Sequence, residues 1–494
     1  MVGSPPRRWL VTVPALVLLA VALVLALGPA ETPYLDLVRR GDGHAARAER
    51  TAAVAAYREA ARLRPGDPAP YLRLGRVYLD WGRTEEALAA LTRARRLGAE
   101  EVDPVELERL WVATCVARAD WPAVVEHAQR LLALLPPENG NEDGNGNGNG
   151  DERAAARHAL AHAYLHMREW DAARVVYEAT LRADPADALA HERLGVLELG
   201  HDPAAVQHLY AAGSEPTDVA NRVLAAYQRA GAVDDPAYAS ALVGRVLSEE
   251  QEWALAARQF ERAVSENPDY ADAHAYLGHA LDHIGRPDEA RPHLLRAVAL
   301  APGSATAHTF LGLHYDRLGD VVAARAEYET AYDLDPENPA TCVEIGQTWA
   351  VEGRYVAAEI WLREAVFLQP EDPALWEVLT RFYLDHSITA EGRGVESAKR
   401  LLELSPDDPV AHDLRGWAAL QVGDYDAAQE SLQQALSLDP ALAEAHYHLG
   451  LLWTALGADH KVRGAFIRAL DLDTSGDLVP LVERALEALP LTPT

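Results

Sequence analysis

The chain has 494 residues, with 75 Asp and Glu against 45 Lys and Arg, so its formal net charge is −30 at pH 7. This charge argues against binding to nucleic acid or to an anionic lipid surface, because both would repel an acidic protein. The two cysteines are too few for a cysteine-rich metal domain. Because Cys115 and Cys342 lie far apart in the sequence, we expect two buried thiols rather than a disulfide.

The first 30 residues are predicted to be a transmembrane anchor or a signal segment. Arg7 and Arg8 precede an uncharged apolar run of 19 residues, 9–27. This run can cross a hydrocarbon core of about 30 Å and exceeds the roughly 7–15 apolar residues of a cleaved signal peptide. Residues 28–30, Gly-Pro-Ala, are nevertheless compatible with cleavage. An uncleaved single-pass anchor is favoured. The arginines before it favour an extracytoplasmic location for the rest of the chain, although three arginines between residues 39 and 47 weaken this orientation.

From residue 34 onwards one pattern recurs along the chain. Gly244, Gly278, Gly312 and Gly346 follow one another at steps of 34 residues. After each glycine slot come a small residue, an aromatic residue or leucine, an alanine and a proline, with apolar residues three and four positions apart between them. Such spacing is typical of two amphipathic helices, and this period is typical of helix–turn–helix arrays.

The residue types in the unit have physical reasons. Gly278, Ala290 and Ala297 allow two helices to approach closely, where a larger side chain would hold them apart. Pro302 ends the second helix and starts the turn into the next unit. Since one hairpin cannot bury its own apolar faces, neighbouring units must stack to form a continuous core.

In these residues the chain resembles the tetratricopeptide repeat family. The unit beginning at residue 305 carries the family pattern in register: Leu311, Gly312, Tyr315, Ala324, Tyr328, Ala331 and Pro336. The resemblance implies an all-α fold, a right-handed superhelical α-solenoid of helix–turn–helix repeats, here with an N-terminal transmembrane helix. It says little about function, because such arrays serve many partners.

Breaks in the register divide the chain into segments. We assign residues 1–30 to the anchor or signal segment, 34–138 to N-terminal repeats, 139–151 to an Asn/Gly-rich flexible linker, 152–213 to further repeats, 214–236 to an interrupting helix, 237–476 to a regular C-terminal array, and 477–494 to a capping helix and tail. The linker contains no apolar residue and cannot compensate the entropy lost on ordering. The Gly-Asp-Gly sequence at 41–43 predicts a weak start to the first repeat, and a two-residue insertion interrupts the array near residues 387–397.

The 19 histidines raise the question of catalysis. Five of them share one early position of the first helix, where the family often has an aromatic residue, so a packing role is favoured: His191, His274, His308, His412 and His446. No Gly-rich phosphate loop, nucleophile elbow or Cys–His pair occurs, and no segment outside the repeats is long enough for a catalytic domain. The sequence therefore predicts a non-enzymatic protein without a cofactor.

Two further histidine clusters have a spacing that could chelate a metal. His158, His162 and His166 lie four residues apart on one helix face, and His279, Asp282 and His283 repeat the same geometry. These positions resemble the partner-facing positions of the family, so a role in lining the groove is favoured. A metal-dependent activity at these clusters is kept as an alternative.

The resemblance also implies where a partner binds, because ligand contacts in this family come mostly from the concave face of the first helix of each repeat. In the regular array these positions hold Tyr238, Arg245, Glu249, Asp272, His279, Asp282, His283, Thr309, Asp316, Arg317 and Gln347. Their mixed charge and aromatic content suit an extended peptide or a partner helix. The expected function is a scaffold that recruits or organises proteins in an envelope assembly. A groove that binds a glycan or supports polysaccharide export is the alternative, and the sequence does not indicate an oligomeric state.

Overall fold

A computed structural model describes residues 31–136, 149–213 apart from 201 and 203, 218–231, 235–386 and 390–487. All regular structure in these ranges is helical, which confirms the all-α fold. The described residues form two compact units, one within the ranges 1–118 and 459–494 and the other within the range 119–458.

The described helices of the first unit are α1 (Glu31–Ala46), α2 (Arg50–Leu63), α3 (Ala69–Asp80), α4 (Thr84–Arg96), α5 (Ala99–Val102), α6 (Pro104–Ala117), α26 (Asp459–Leu472) and α27 (Val479–Glu487). Those of the second unit are α7 (Trp121–Leu134), α8 (Asn149–Met167), α9 (Trp170–Ala183), α10 (Ala188–Glu198), α11 (Ala204–Ala212), α12 (Val219–Gly231), α13 (Pro236–Glu249), α14 (Trp253–Glu266), α15 (Ala271–His283), α16 (Pro287–Leu300), α17 (Ala305–Arg317), α18 (Val321–Leu334), α19 (Pro339–Val351), α20 (Tyr355–Leu368), α21 (Pro373–Asp385), α22 (Val395–Leu404), α23 (Pro409–Gln421), α24 (Tyr425–Leu438) and α25 (Ala443–Ala455).

The first helix is not weak at its Gly-Asp-Gly sequence, as expected from the sequence, but runs unbroken through it. Gly41 lies one period before Gly75 and is the repeat glycine of its own unit. A Cβ atom added at Gly41 would overlap the ring of Tyr57 from α2. The glycine is therefore needed for the close contact between the two helices, and the tertiary contact outweighs the low helix propensity of glycine.

Helix α27 lies within the segment assigned to the capping helix and packs on α26. Within the first unit α26 in turn contacts the N-terminal repeats. The Trp81 Nε1 group donates a hydrogen bond to the Leu470 carbonyl at 2.7 Å, and the Thr51 amide donates one to Asp471 Oδ1 at 2.8 Å. The C-terminal helices thus belong to the same unit as the first repeats.

The second unit contains the regular array, in which α13/α14, α15/α16, α17/α18, α19/α20 and α23/α24 pack as antiparallel hairpins. We call the first helix of each hairpin helix A and the second helix B. A glycine in helix A always faces the residue 16 positions later in helix B, and a Cβ added at that glycine would lie 2.5–2.8 Å from the facing side chain: Gly244 with Phe260, Gly278 with Leu294, Gly312 with Tyr328, Gly346 with Leu362 and Gly416 with Leu432. This contact sets the distance between the two helices of a hairpin.

Helix A of most repeats starts at a side chain that accepts a backbone N–H, which supplies one of the partners that a helix N-terminus lacks. These capping residues are Asp235, Ser304, Asn338, Asp372 and Asp408. A proline at the first helical position follows four of them, where its missing N–H has no effect on helical hydrogen bonding. The start of helix A is therefore defined locally by the sequence.

The irregular segments take the following form. Helix α8 begins at Asn149, inside the predicted linker, and α12 corresponds to the interrupting helix. The insertion near residue 390 contains a π-helical turn, Ala390–Gly394, that leads into α22. Both cysteines are buried and neither forms a disulfide in the described part of the chain, as predicted. None of the described helices is long and apolar enough to cross a membrane, and the predicted anchor at 9–27 lies outside the described residues.

Candidate partner-binding groove

The eleven predicted groove residues lie on four successive A helices of the second unit, α13, α15, α17 and α19. Helix α13 contacts α15, and α15 contacts α17. The exposed residues of the set are Arg245, Glu249, Asp272, His283, Asp316, Arg317 and Gln347, and Tyr238, His279 and Thr309 are half-buried. Ten of the eleven side chains thus retain some access to solvent, which a groove residue needs.

The exception is Asp282, whose residue is only 3% exposed. His314 Nδ1 donates to its two carboxylate oxygens at 2.9 and 3.0 Å. Burial raises the pKa of Asp282, and the hydrogen bond from His314 opposes this rise. Arg317 also donates to the Asp282 carbonyl at 3.1 Å. Asp282 therefore joins α15 to α17 and does not present its carboxylate to a ligand in this structure.

An aromatic cluster lies beside this buried pair. The His283 ring stacks on Trp253 with 3.8 Å between centroids, and the His279 ring stacks on Phe310 at 4.2 Å. Burial, followed by the influence of His283 and Arg317, lowers the pKa of His279 to about 4, so this ring is neutral at pH 7. The two predicted histidines are thus packed into an aromatic surface between repeats.

Sequence reasoning missed the aromatic partners of these histidines. It also missed Tyr276, over whose ring the Arg245 guanidinium lies, 5.7 Å from the centroid. Tyr276 and Phe310 lie at the same position of consecutive repeats, one period apart. Comparison of that position across the repeats would have found both of them, because neighbouring repeats meet there.

The other histidine cluster is a second copy of the same arrangement. His166 stacks on Trp121 at 4.0 Å between centroids, and the Nε2 atoms of His162 and His166 are 3.3 Å apart. Burial lowers the pKa of His166 to about 3 and also lowers that of His162. His158 points elsewhere, with its Nε2 2.8 Å from Asp187 Oδ2. Within the described ranges no three His, Cys, Asp or Glu side chains are placed to hold a metal ion.

The five early histidines of helix A also have a shared contact. In each, Nε2 lies 2.9–3.2 Å from the carbonyl oxygen of the proline six residues earlier, as seen for His191, His274, His308, His412 and His446. Trp376 makes the same contact with its Nε1 group, at 2.8 Å from the Pro370 oxygen. These rings bond the turn between repeats to helix A, which agrees with the packing role predicted for them.

Comparison with known proteins supports the repeat assignment. Models of the tetratricopeptide repeat match residues 38–101, 158–212, 244–305, 284–339, 317–382 and 416–457, together more than half of the chain. The small glutamine-rich tetratricopeptide repeat-containing protein 2 of Mycosarcoma maydis is 27% identical over 88 residues, which are 18% of this chain and 25% of that protein. The match therefore spans a quarter of the length of this curated relative.

Two solved structures align with most of the chain. Cut9–Hcn1, a hetero-tetramer of the APC/C, is 16% identical with a TM-score of 0.38, over 95% of this chain and 99% of that one. Yeast Tom70 is 14% identical with a TM-score of 0.39, over 92% and 96% of the two chains. These likenesses concern the kind of fold alone.

Proposed function

Because the chain belongs to the tetratricopeptide repeat family, we propose that it is a non-enzymatic, membrane-anchored scaffold that binds partner proteins and organises them in an envelope assembly. The observation that carries the proposal is the row of solvent-accessible side chains on four consecutive A helices, α13, α15, α17 and α19. The row combines cations, anions and aromatic groups, as surfaces that bind an extended peptide or a partner helix do.

The packing of these repeats supports the same proposal. The Asp282–His314 pair and the stacking of His279 on Phe310 both connect neighbouring repeats. Such contacts hold successive A helices in one relative position before a ligand arrives. A surface that is already ordered loses less conformational entropy when an extended ligand binds, so affinity is higher for the same contacts.

The partner site is tested by a combined Arg245→Ala and Arg317→Ala variant in a pull-down from detergent-solubilised membranes. Arginine is one of the residue types enriched at binding hot spots, so we expect the variant to lose most of the partner captured by the wild type. The matched control is Arg229→Ala with Arg291→Ala, which removes two exposed arginines from α12 and α16, outside the four A helices. Equal capture by both variants would refute this position of the site.

Arg317 also donates a hydrogen bond to the Asp282 carbonyl. Removing the Arg317 side chain therefore also removes a contact between α15 and α17. A thermal melt followed by circular dichroism accompanies the pull-down to separate an effect on the fold from an effect on binding. We expect the melt to stay within the range of the control variant, since Arg317 is exposed and the hydrogen bond of an exposed side chain contributes little to stability.

The proposed anchor is residues 9–27, an apolar run that follows two arginines. We expect the full chain in the membrane fraction and a chain lacking the first 30 residues in the soluble fraction, with the same helical circular dichroism spectrum. If the repeats are extracytoplasmic, protease should digest them when it is added to cells whose outer layers have been removed and whose plasma membrane is intact. A truncated chain that stays membrane-bound would show that the anchor is elsewhere.

A further inference from the structure

The outer face of helix α20 exposes large apolar side chains to solvent. Helix α20 packs into its hairpin through residues 358, 362 and 365, which are buried. The opposite face, which we call the outer stripe, presents four exposed residues: Val356, Ile360, Arg363 and Phe367. Val356 and Phe367 are both 77% exposed, and Ile360 is 63% exposed. Three of the four positions thus carry a large apolar side chain that makes little use of its own fold.

The same positions of the next two B helices show that the repeat fold does not require this. Alignment on the buried residues places Gly392, Glu396, Lys399 and Glu403 at these positions around α22, and Asp426, Glu430, Gln433 and Ser437 in α24. All eight residues are exposed, and none has a large apolar side chain. Because a solvated outer face is polar in these repeats, the apolar face of α20 marks a surface that another surface covers.

The spacing of the outer stripe indicates what kind of element covers it. Its residues follow one another at intervals of four, three and four positions, which keeps them on one line along the helix. This is the spacing with which two helices interlock side by side. The stripe runs over nearly the whole of α20, which has 14 residues. A second helix lying along α20 therefore fits this surface.

Two charged groups beside the outer stripe have no partner. Arg363 and Glu396 make no hydrogen bond or ion pair with any described residue. Both line a cavity of about 750 Å³ that α20 and α22 border. Arg400 lines the same cavity and does have a partner, since it donates to Glu371 at 2.9 Å. A cation and an anion thus remain available to a surface that presents the opposite charges at the same two places.

We infer that the outer stripe binds a second copy of this chain, with the two α20 helices antiparallel about a two-fold axis between positions 361 and 362. This axis places Val356 against Phe367 of the second copy and Ile360 against the aliphatic stem of its Arg363, so that all four stripe residues are used. Successive B helices run in the same direction, and Glu396 is the equivalent of Ile360 in α22. The same axis therefore brings Arg363 level with Glu396 of the second copy.

The symmetry of this arrangement favours a second copy over an unrelated helix. A two-fold axis forms each contact twice from one set of residues, so both unpaired cations meet both unpaired anions. A parallel arrangement of the two helices would place Arg363 against Arg363 and is disfavoured. The surface lies on helix B, outside the row of A-helix residues that carries the proposed function. The inference therefore stands or falls independently of peptide binding in the groove.

The dimer is expected to be weak. A stable interface buries about 800 Å² of each partner, which is more than one helix of this length and its rim supply. The net charge of −30 on each chain also opposes association. We therefore expect a dissociation constant on the order of 10 µM.

The first test is cysteine cross-linking between full-length chains. Val356→Cys and Phe367→Cys chains are co-expressed and treated with a short bis-maleimide, to which the native cysteines are inaccessible because both are buried. We expect cross-linked dimer from the mixture and little from either variant alone, because the antiparallel arrangement leaves two copies of the same position about 16 Å apart. The matched control is Asp426→Cys mixed with Ser437→Cys, the same two positions in α24.

Three outcomes would overturn the proposal. If the mixture cross-links no more than the α24 control, the outer stripe does not bind a second copy. If each variant links mainly to itself, the two helices are not antiparallel. If the α20 cysteines link to a different protein, identified by mass spectrometry, the stripe serves another partner.

The second test reverses the charges in the same cross-linking mixture. Arg363→Glu should lower the cross-linked fraction by about 5-fold, because two ion pairs become two repulsive contacts. Adding Glu396→Arg to the same chain should restore cross-linking, since the reversed pair can form again between copies. A partner other than a second copy would not be matched by this double change. Cross-linking that stays low in the double variant, or that is unaffected by Arg363→Glu, would refute the two-fold contact.

Discussion

Replacing Gly278 by alanine tests the close helix contact that every regular repeat shares. The added Cβ would lie 2.5 Å from Leu294 Cγ, 2.7 Å from Leu294 Cδ2 and 3.1 Å from the Ala290 carbonyl oxygen. Favourable contacts between carbon atoms are about 3.5–4.0 Å long. Helices α15 and α16 must therefore separate by roughly 1 Å, or the fully buried Leu294 must leave its position.

The expected loss of stability follows from two opposing effects. Overpacking of a core contact costs about 1–3 kcal/mol, whereas alanine in place of glycine inside a helix contributes about 1 kcal/mol in the other direction. We therefore expect Gly278→Ala to destabilise the array by about 1–2 kcal/mol. Gly278→Leu should cost more, since three further carbon atoms have to be accommodated.

The assay is urea unfolding followed by circular dichroism, combined with hydrogen exchange of α15 and α16. Because the stability of repeat arrays depends on nearest neighbours, exchange should rise first in these two helices. The control is Gly464→Ala in α26, where an added Cβ meets nothing within 4 Å, so that change should stabilise its helix by roughly 0.5–1 kcal/mol. Unfolding curves of Gly278→Ala that match the wild type, or equal destabilisation by both substitutions, would refute the packing account.

Three further predictions concern single residues. The pKa of Glu344 rises from 4.5 to about 7 on folding, so ionisation of its carboxyl group lowers the stability of the folded protein fully above pH 7 and not at all below pH 4.5. At about 1.4 kcal/mol per pKa unit, Glu344→Leu should stabilise the protein by at most about 3 kcal/mol above pH 7. Urea titrations of this variant should show a smaller fall of stability between pH 4.5 and pH 7. Gln251 has a positive φ of 60°, so Gln251→Gly should raise stability by about 0.5–1 kcal/mol in the same assay, and a loss would contradict it. His412→Phe should cost about 1 kcal/mol by removing the bond to the Pro406 carbonyl, and His412→Trp should retain that bond, as measured by thermal melts.

The sequence alone determined the hairpins of the regular array. A close approach of two helices requires a residue without a Cβ atom at the point of contact, so the series of glycines one period apart identifies each helix A and its facing residue in helix B. Capping side chains and prolines define where helix A begins through contacts within a few residues. Gly41, where the sequence predicts a weak start, obeys the same period and makes the same close contact with helix B.

Only the tertiary structure decided what the groove residues do, because contacts between repeats depend on how one hairpin is oriented on the next. Asp282 has the position of a groove residue, yet it is buried because His314 from the following repeat reaches it. Glu344 is an ordinary helical glutamate in the sequence and acquires its raised pKa from burial beside Asp316. The repeat pattern encodes the fold of each hairpin, whereas the chemistry of the site arises between hairpins, where side chains more than 30 residues apart meet.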